Sequence, residues 1–205
     1  MEKINYQLET DRVLESLTRS GETPRLLLHA CCGPCSAYVL EYLSRYFDIT
    51  VFYYNPNIRP DEEYRRRLET LEQLIGCLPV QRPVTLVEEG YRPEDFEAIW
   101  ESYRDEPEGG ARCAECIALR LGETARAADK YGCGYFCSTL TVSPWKDSEL
   151  INTIGLKADA PKSVWLPSDF KKRGGYGRSV ELSRELGLYR QDYCGCTPRK
   201  LQNLS

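Results

Sequence analysis

Leu26-Leu27-Leu28-His29-Ala30-Cys31-Cys32-Gly33-Pro34-Cys35 is the stretch that decides the fold. The leucine run is short and continuous, as expected of a strand buried on both faces. Gly33-Pro34 breaks it, and proline suits the first turn of a helix. Val39, Leu40, Leu43 and Phe47 then fall on one helical face.

The same alternation continues outward. Ile49 to Tyr54 read as a second apolar strand, ending at Asn55-Pro56-Asn57. Asp61-Glu62-Glu63 open the next helix, acids placed against its N-terminal dipole. Tyr64, Leu68, Leu71 and Ile75 form its buried stripe. Val84 to Val87 predict a third strand, and another helix runs from near Cys113 to a cap at Gly132. Tyr135 to Val142 predict a strand, Ser143-Pro144 a cap and first helical residue, and Val164 to Leu166 a last short strand. Residues 1–24 read as a polar, helical N-terminal extension to a single α/β domain spanning 1–205. Strand–helix alternation throughout predicts a Rossmann-like (HUP-like), mostly parallel sheet with helices on both faces. Ligands of such sheets sit outside the C-terminal strand ends, which is where Cys31 and Cys32 fall.

A length of 205 residues suits one core. The net charge of -4 argues against a protein that coats nucleic acid, although a local basic patch is enough to engage phosphates. The polar start lacks the apolar region of a signal peptide, and no run is long enough for a membrane span. The expectation is a cytoplasmic protein with no membrane partner. Its ten cysteines would there be reduced, and clustered ones serve metal or redox chemistry rather than stapling.

Three clusters carry that chemistry: Cys31-Cys32-Gly33-Pro34-Cys35, Cys113-Ala114-Glu115-Cys116 and Cys194-Gly195-Cys196. One helical turn brings Cys113 and Cys116 to the same side, and a helix start favours thiolate. Cys31, Cys32, Cys113 and Cys116 together would supply the four thiolates of a [4Fe–4S] cluster. A tetrahedral zinc is the alternative, although zinc sites usually use two C-x-x-C pairs, and buried thiols are the plainest reading. Cys194 and Cys196 are too close for a relaxed disulfide; they suit a labile dithiol couple or ligands to a second metal. Cys35 is either a further ligand, to a second iron, or a packed thiol. Cys77, Cys133 and Cys137 are expected to be small buried hydrophobes. His29, the one histidine, is either an acid–base group or a hydrogen-bonded support for the turn.

Four blocks now stand in order: His29 to Ser36 (HACCGPCS), Arg112 to Cys116 (RCAEC), Phe136 to Lys146 (FCSTLTVSPWK) and Tyr189 to Cys196 (YRQDYCGC). Together they resemble the signature blocks of the cobalamin-independent epoxyqueuosine reductases, over about residues 25 to 200. The resemblance implies reduction of epoxyqueuosine to queuosine at the wobble base of a tRNA. It implies a [4Fe–4S] cluster on Cys31, Cys32, Cys113 and Cys116, with Cys194 and Cys196 as a redox-active catalytic pair and no cobalamin. The implied partners are a tRNA carrying epoxyqueuosine and an unidentified electron donor. Such a deoxygenation takes two electrons and two protons and releases water. Asp192 and Tyr193 join His29 as candidate proton donors. Tyr189, Arg190, Gln191 and Lys146 are the candidate substrate-pocket residues. The basic, glycine-rich segment from Lys171 to Arg178 is a candidate RNA contact, whereas Arg65-Arg66-Arg67 reads as a solvated helix face. The alternatives are a tRNA-thiolating ATP pyrophosphatase, a zinc-stabilised binding module and a simple thiol–disulfide oxidoreductase. Pro34 speaks against the first, because it removes a backbone donor where a phosphate loop needs one.

Overall fold

The computed structural model of the chain describes residues 4–196. Helix α1 (Tyr6–Ser20) is followed by β1 (Arg25–His29), α2 (Gly33–Leu43), β2 (Asp48–Tyr53), α3 (Asp61–Cys77) and β3 (Thr85–Glu88). Then come α4 (Glu94–Ser102), α5 (Ala111–Lys130), β4 (Tyr135–Ser138), α6 (Ser148–Lys157), β5 (Val164–Trp165) and α7 (Gly175–Glu185). The five strands form one all-parallel sheet in the order β3-β2-β1-β4-β5.

The chain builds β1, β2 and β3 in one direction and then returns to lay β4 beside β1. That reversal opens a crevice beyond the C-terminal ends of β1 and β4, the position where open α/β sheets bind ligands. His29 and Ser138 are paired in register at those ends, so the first and third cysteine-bearing blocks meet there. Helix α2 packs with α3 and α7, and α5 packs with α4 and α6 and against β1 and β4. Right-handed crossovers put these two groups on opposite faces of the sheet.

Leu26, Leu27, Leu28, Val51, Phe52 and Phe136 are fully or almost fully buried, as continuous apolar strands must be when both faces are covered. The N-terminal helix belongs to the same packing, because Leu14 and Leu17 join the main apolar cluster. Helices α2 and α3 approach closely at Gly33, where a Cβ would stand 2.8 Å from the Thr70 carbonyl oxygen. Gly33→Ala is therefore expected to cost about 1–3 kcal/mol through overpacking, read as a lower urea midpoint with unchanged slope.

Several elements differ from expectation. The β4 strand stops at Ser138, and Thr139–Val142 form a 3-10 turn. Ser138 causes the change, since its hydroxyl accepts the Leu140 amide and turns the chain out of the sheet. Ser143-Pro144 sits in a turn, and α6 starts later with Asp147 capping Glu149 and Leu150. The basic, glycine-rich segment from Lys171 to Arg178 contains the 3-10 turn Lys172–Gly174 and the start of α7. Its charges are largely neutralised within the fold: Lys171 pairs with Asp169, Arg173 with Asp11, and Arg178 with Glu41 and Glu181. Arg67 is not solvated. It is 4% exposed and donates from Nε to Glu63 Oε1 at 2.6 Å, because i to i+4 spacing puts both on the buried side of α3. Cys77 is exposed at the end of α3, whereas Cys133 and Cys137 are buried. No described helix is long and apolar enough to cross a membrane.

Candidate metal and active site

The strand end is held from both sides. His29 is fully buried, and burial lowers its pKa from 6.5 to about 4, so the ring is neutral near pH 7. Its Nε2 lies 3.2 Å from the Tyr54 carbonyl oxygen, which only accepts, so Nε2 carries the proton. Nδ1 then accepts from the Ser138 hydroxyl at 2.8 Å. With both nitrogens engaged away from solvent, His29 supports the turn, and its one ring proton is committed to the Tyr54 carbonyl.

Beyond His29 the chain turns into α2, and Cys31, Cys32 and Cys35 bring their sulfurs within 4.8 Å of one another. Cys31 and Cys32 are 3.7 Å apart at sulfur, and Thr139 Oγ1 lies 3.8 Å from Cys31 Sγ. Hydrogen bonds from the Cys32 and Cys35 thiols hold the Cys31 pKa well below the ordinary thiol range, with Arg120 assisting. Cys32 and Cys35 are correspondingly pushed up. A tetrahedral ion at ~2.3 Å from each sulfur separates its ligands by roughly 3.8 Å, so this trio fits one metal ion with a position left open.

The second sulfur group forms at the start of α5. Cys113, Cys116, Cys194 and Cys196 line one small pocket, closed by Phe96, Ile117 and Arg112. Among the described residues, the Cys31 trio alone brings three such ligand atoms within 4.8 Å of one another, so these four thiols are spread too widely for a single ion. A multi-atom cluster, with metal at several corners, fits such a spread. The set implied by resemblance, Cys31, Cys32, Cys113 and Cys116, draws from both groups. No disulfide joins Cys194 to Cys196, and their sulfurs lie 3.6 Å apart. The Cys196 thiol holds the Cys194 pKa well below the usual range, and Lys146 and Arg120 contribute. Only glycine fits between this pair. The Arg59 amide donates to the Gly195 carbonyl at 2.9 Å, and a Cβ on Gly195 would stand 2.8 Å from Ile58 Cγ1 and 3.1 Å from its Cα.

Arg120 lies between the groups. Its Nε donates to the Cys116 carbonyl at 3.2 Å, and burial works against its charge. The neighbouring sulfurs of Cys116, Cys194, Cys31 and Cys196 outweigh that cost and raise its pKa. Lys146 is held similarly, 3.0 Å from Glu108 Oε1 and 4.0 Å from Cys194 Sγ. These cations offset the negative charge that several thiolates and a metal centre gather.

A cavity of about 720 Å³ opens over the sulfurs and is lined by Cys31, Cys35 and Cys194 among others. Arg190, Gln191 and Lys146 line it, together with Asp192 and Tyr193. Tyr189 does not: its hydroxyl is 3.0 Å from Glu63 Oε2, and the Arg66 guanidinium lies 3.5 Å above its ring. Arg67, Asn57 and Arg120 are not among the site residues expected from the sequence, yet all three line the cavity. Nη2 of Arg67 and Oδ1 of Asn57 are buried without a hydrogen-bond partner among the described residues. Such orphaned groups are costly unless a ligand completes them. For Arg120 a signal was present: it follows Cys116 by one helical turn.

A parallel α/β sheet with two thiol groups and buried cations at its switch point defines a cysteine-centred class of protein, with a trio of thiols that could hold a metal ion. Comparison narrows that class. Residues 26–200 match the family model described as epoxyqueuosine reductase QueH. The epoxyqueuosine reductase QueH of Staphylococcus epidermidis is 42% identical over 95% of this chain and 84% of its own length. That of Streptococcus pyogenes is 42% identical over 95% of this chain and 78% of its own. That of Thermotoga maritima is 36% identical over 83% and 88%. The chain belongs to the epoxyqueuosine reductase QueH family. A solved NAD+ synthetase from Burkholderia pseudomallei aligns over 92% of the chain and 70% of its own at 13% identity and a TM-score of 0.37, too loose a likeness to argue from.

Proposed function

We propose that the chain reduces epoxyqueuosine to queuosine at the wobble position of a tRNA anticodon, in the cytoplasm, with its two thiol groups as metal sites. The observation that carries this reading is the cavity over Cys31, Cys35 and Cys194 at the sheet's switch point, in a chain of this family. Both C–O bonds of the epoxide break and a C=C bond forms. Two electrons and two protons are taken up, and one water leaves. The electrons come from an external reductant.

The enclosed pocket of Cys113, Cys116, Cys194 and Cys196 suits a [4Fe–4S] cluster, and the trio of Cys31, Cys32 and Cys35 suits a single iron that keeps a position open towards the cavity. Bound there, iron supplies electrons singly and acts as a Lewis acid for a departing oxygen. The protein's own groups orient and shield. Arg67 offers Nη2 as a donor to substrate oxygen, Asn57 offers Oδ1 as an acceptor for substrate hydroxyl or amine, and Asp192 and Tyr193, which line the same cavity, are the candidate proton sources.

A second reading is favoured by the 3.6 Å separation of Cys194 and Cys196, in which that pair cycles between dithiol and disulfide. The test is turnover of epoxyqueuosine-containing tRNA by anaerobically purified protein, with iron, acid-labile sulfide and zinc measured on the same sample. Queuosine formation with about four sulfides and iron in excess of four per chain is the expected result. Zinc without sulfide, and no turnover after reconstitution, would overturn the assignment and leave a zinc-bound module.

A further inference from the structure

Trp145 is 81% exposed, the most exposed large apolar side chain among the described residues. It belongs to the lining of the cavity that holds the sulfurs, together with Tyr176 and Arg190. Its backbone is fixed. The Ser143 amide donates to the Leu140 carbonyl, and the Trp145 amide to Ser143 Oγ at 3.3 Å. The Lys146 amide donates back to the Ser143 carbonyl at 3.3 Å. The next side chain, Lys146, is anchored inward on Glu108 and Cys194. An indole is thus presented to solvent one residue from the sulfur site, on a turn that costs little further ordering.

We infer that Trp145 is a stacking platform for an unpaired RNA base next to the modified nucleotide. This rests on the reading of tRNA as substrate. A flat, exposed ring at the rim of a cavity accepts the face of any nucleobase, and recognition of single-stranded RNA loops relies on such stacking. The occupant is a neighbour and not the modified base itself, because the reacting group must go deeper, to the sulfurs. Arg190 and Tyr176 supply the complementary charge and a second ring at the same cavity: the guanidinium lies 5.4 Å from the Tyr176 centroid, and its Nη2 donates to the Tyr176 hydroxyl at 2.9 Å. The other two tryptophans are placed differently. Trp165 is 4% exposed and bonds Asn152, and Trp100 lies under Arg59 and Arg112.

The test uses the reconstituted full chain as wild type, Trp145→Ala and Trp145→Phe. Substrates are an anticodon stem–loop RNA carrying epoxyqueuosine and the free epoxyqueuosine nucleoside. Trp145→Ala is expected to raise KM for the stem–loop about 10- to 100-fold with kcat nearly unchanged, and to leave the nucleoside reaction as it was. Trp145→Phe should keep most of the stem–loop affinity. Without reductant, the stem–loop should quench the tryptophan fluorescence of wild type, and Trp145→Phe should lose that quench. Unchanged stem–loop KM in Trp145→Ala, an equal loss on both substrates, or an effect only on the KM of a protein electron donor would each overturn the inference. A wild type that turns over neither substrate, yet shows the Trp145-dependent quench, supports the stacking surface while sinking the proposed reaction.

Discussion

Exchanging both Cys194 and Cys196 for serine is expected to lower turnover below ~1% of wild type, about 2.7 kcal/mol of transition-state stabilisation. Both thiols line the pocket of Cys113 and Cys116. The double variant is therefore expected to lose its acid-labile sulfide and visible cluster absorbance, retaining only the iron held near Cys31. Serine oxygen is a poor substitute for thiolate towards iron. Retained absorbance with abolished turnover would favour the dithiol couple instead. Full activity would remove the pair from both roles.

Arg67→Ala is expected to cost about 3–5 kcal/mol of stability, which lowers the melting temperature by about 10 °C for a chain of this size. The reason is the carboxylate it leaves behind. Glu63 has a side chain only 8% exposed, and its remaining donor is the Tyr189 hydroxyl. Burial also works against the charge on Arg67, and the neighbouring Cys32 sulfur and the bond to Glu63 together outweigh it. The Glu63→Gln, Arg67→Met double variant should recover much of the lost stability, because it leaves no lone charge. It should not recover activity, since the donor aimed at the cavity is gone. Thermal unfolding of the metal-free, reduced protein checks the first claim and turnover of the loaded double variant the second. A melting point within 2 °C of wild type for Arg67→Ala would show, at about 2–4 °C per kcal/mol, that the pair contributes little.

Much of this was legible in the chain itself. The leucine run of β1 and the apolar run of β2 could only be buried strands, and Gly33-Pro34 marked where α2 begins. The cysteine clusters announced redox or metal chemistry through their spacing. Their grouping was not legible, because it depends on β4 lying beside β1 and on the 194–196 segment docking at Arg59. Neither is a local property. Thr139–Val142 misled because β-branched residues favour strands, while one serine hydroxyl decided otherwise. Arg67 misled because a run of three arginines looks solvated, and its partner Glu63 sits one turn earlier among other acids. Helix α4 escaped notice because Phe96 is its one fully buried anchor, and α7 because glycines open it.

The enclosed pocket takes two of its sulfurs from the start of α5 and two from the segment bound by Arg59 to Gly195. The stretch of chain between them folds α5, β4, α6, β5 and α7 before the pocket can close. Closing so long a loop in an unfolded chain is entropically unfavourable, and the folded sheet removes that obstacle in advance. On the proposed reading, metal insertion is therefore expected to be a late event in the life of the molecule, after tertiary assembly and not during it. Iron content would then double as a readout of whether the last cysteines have found their place.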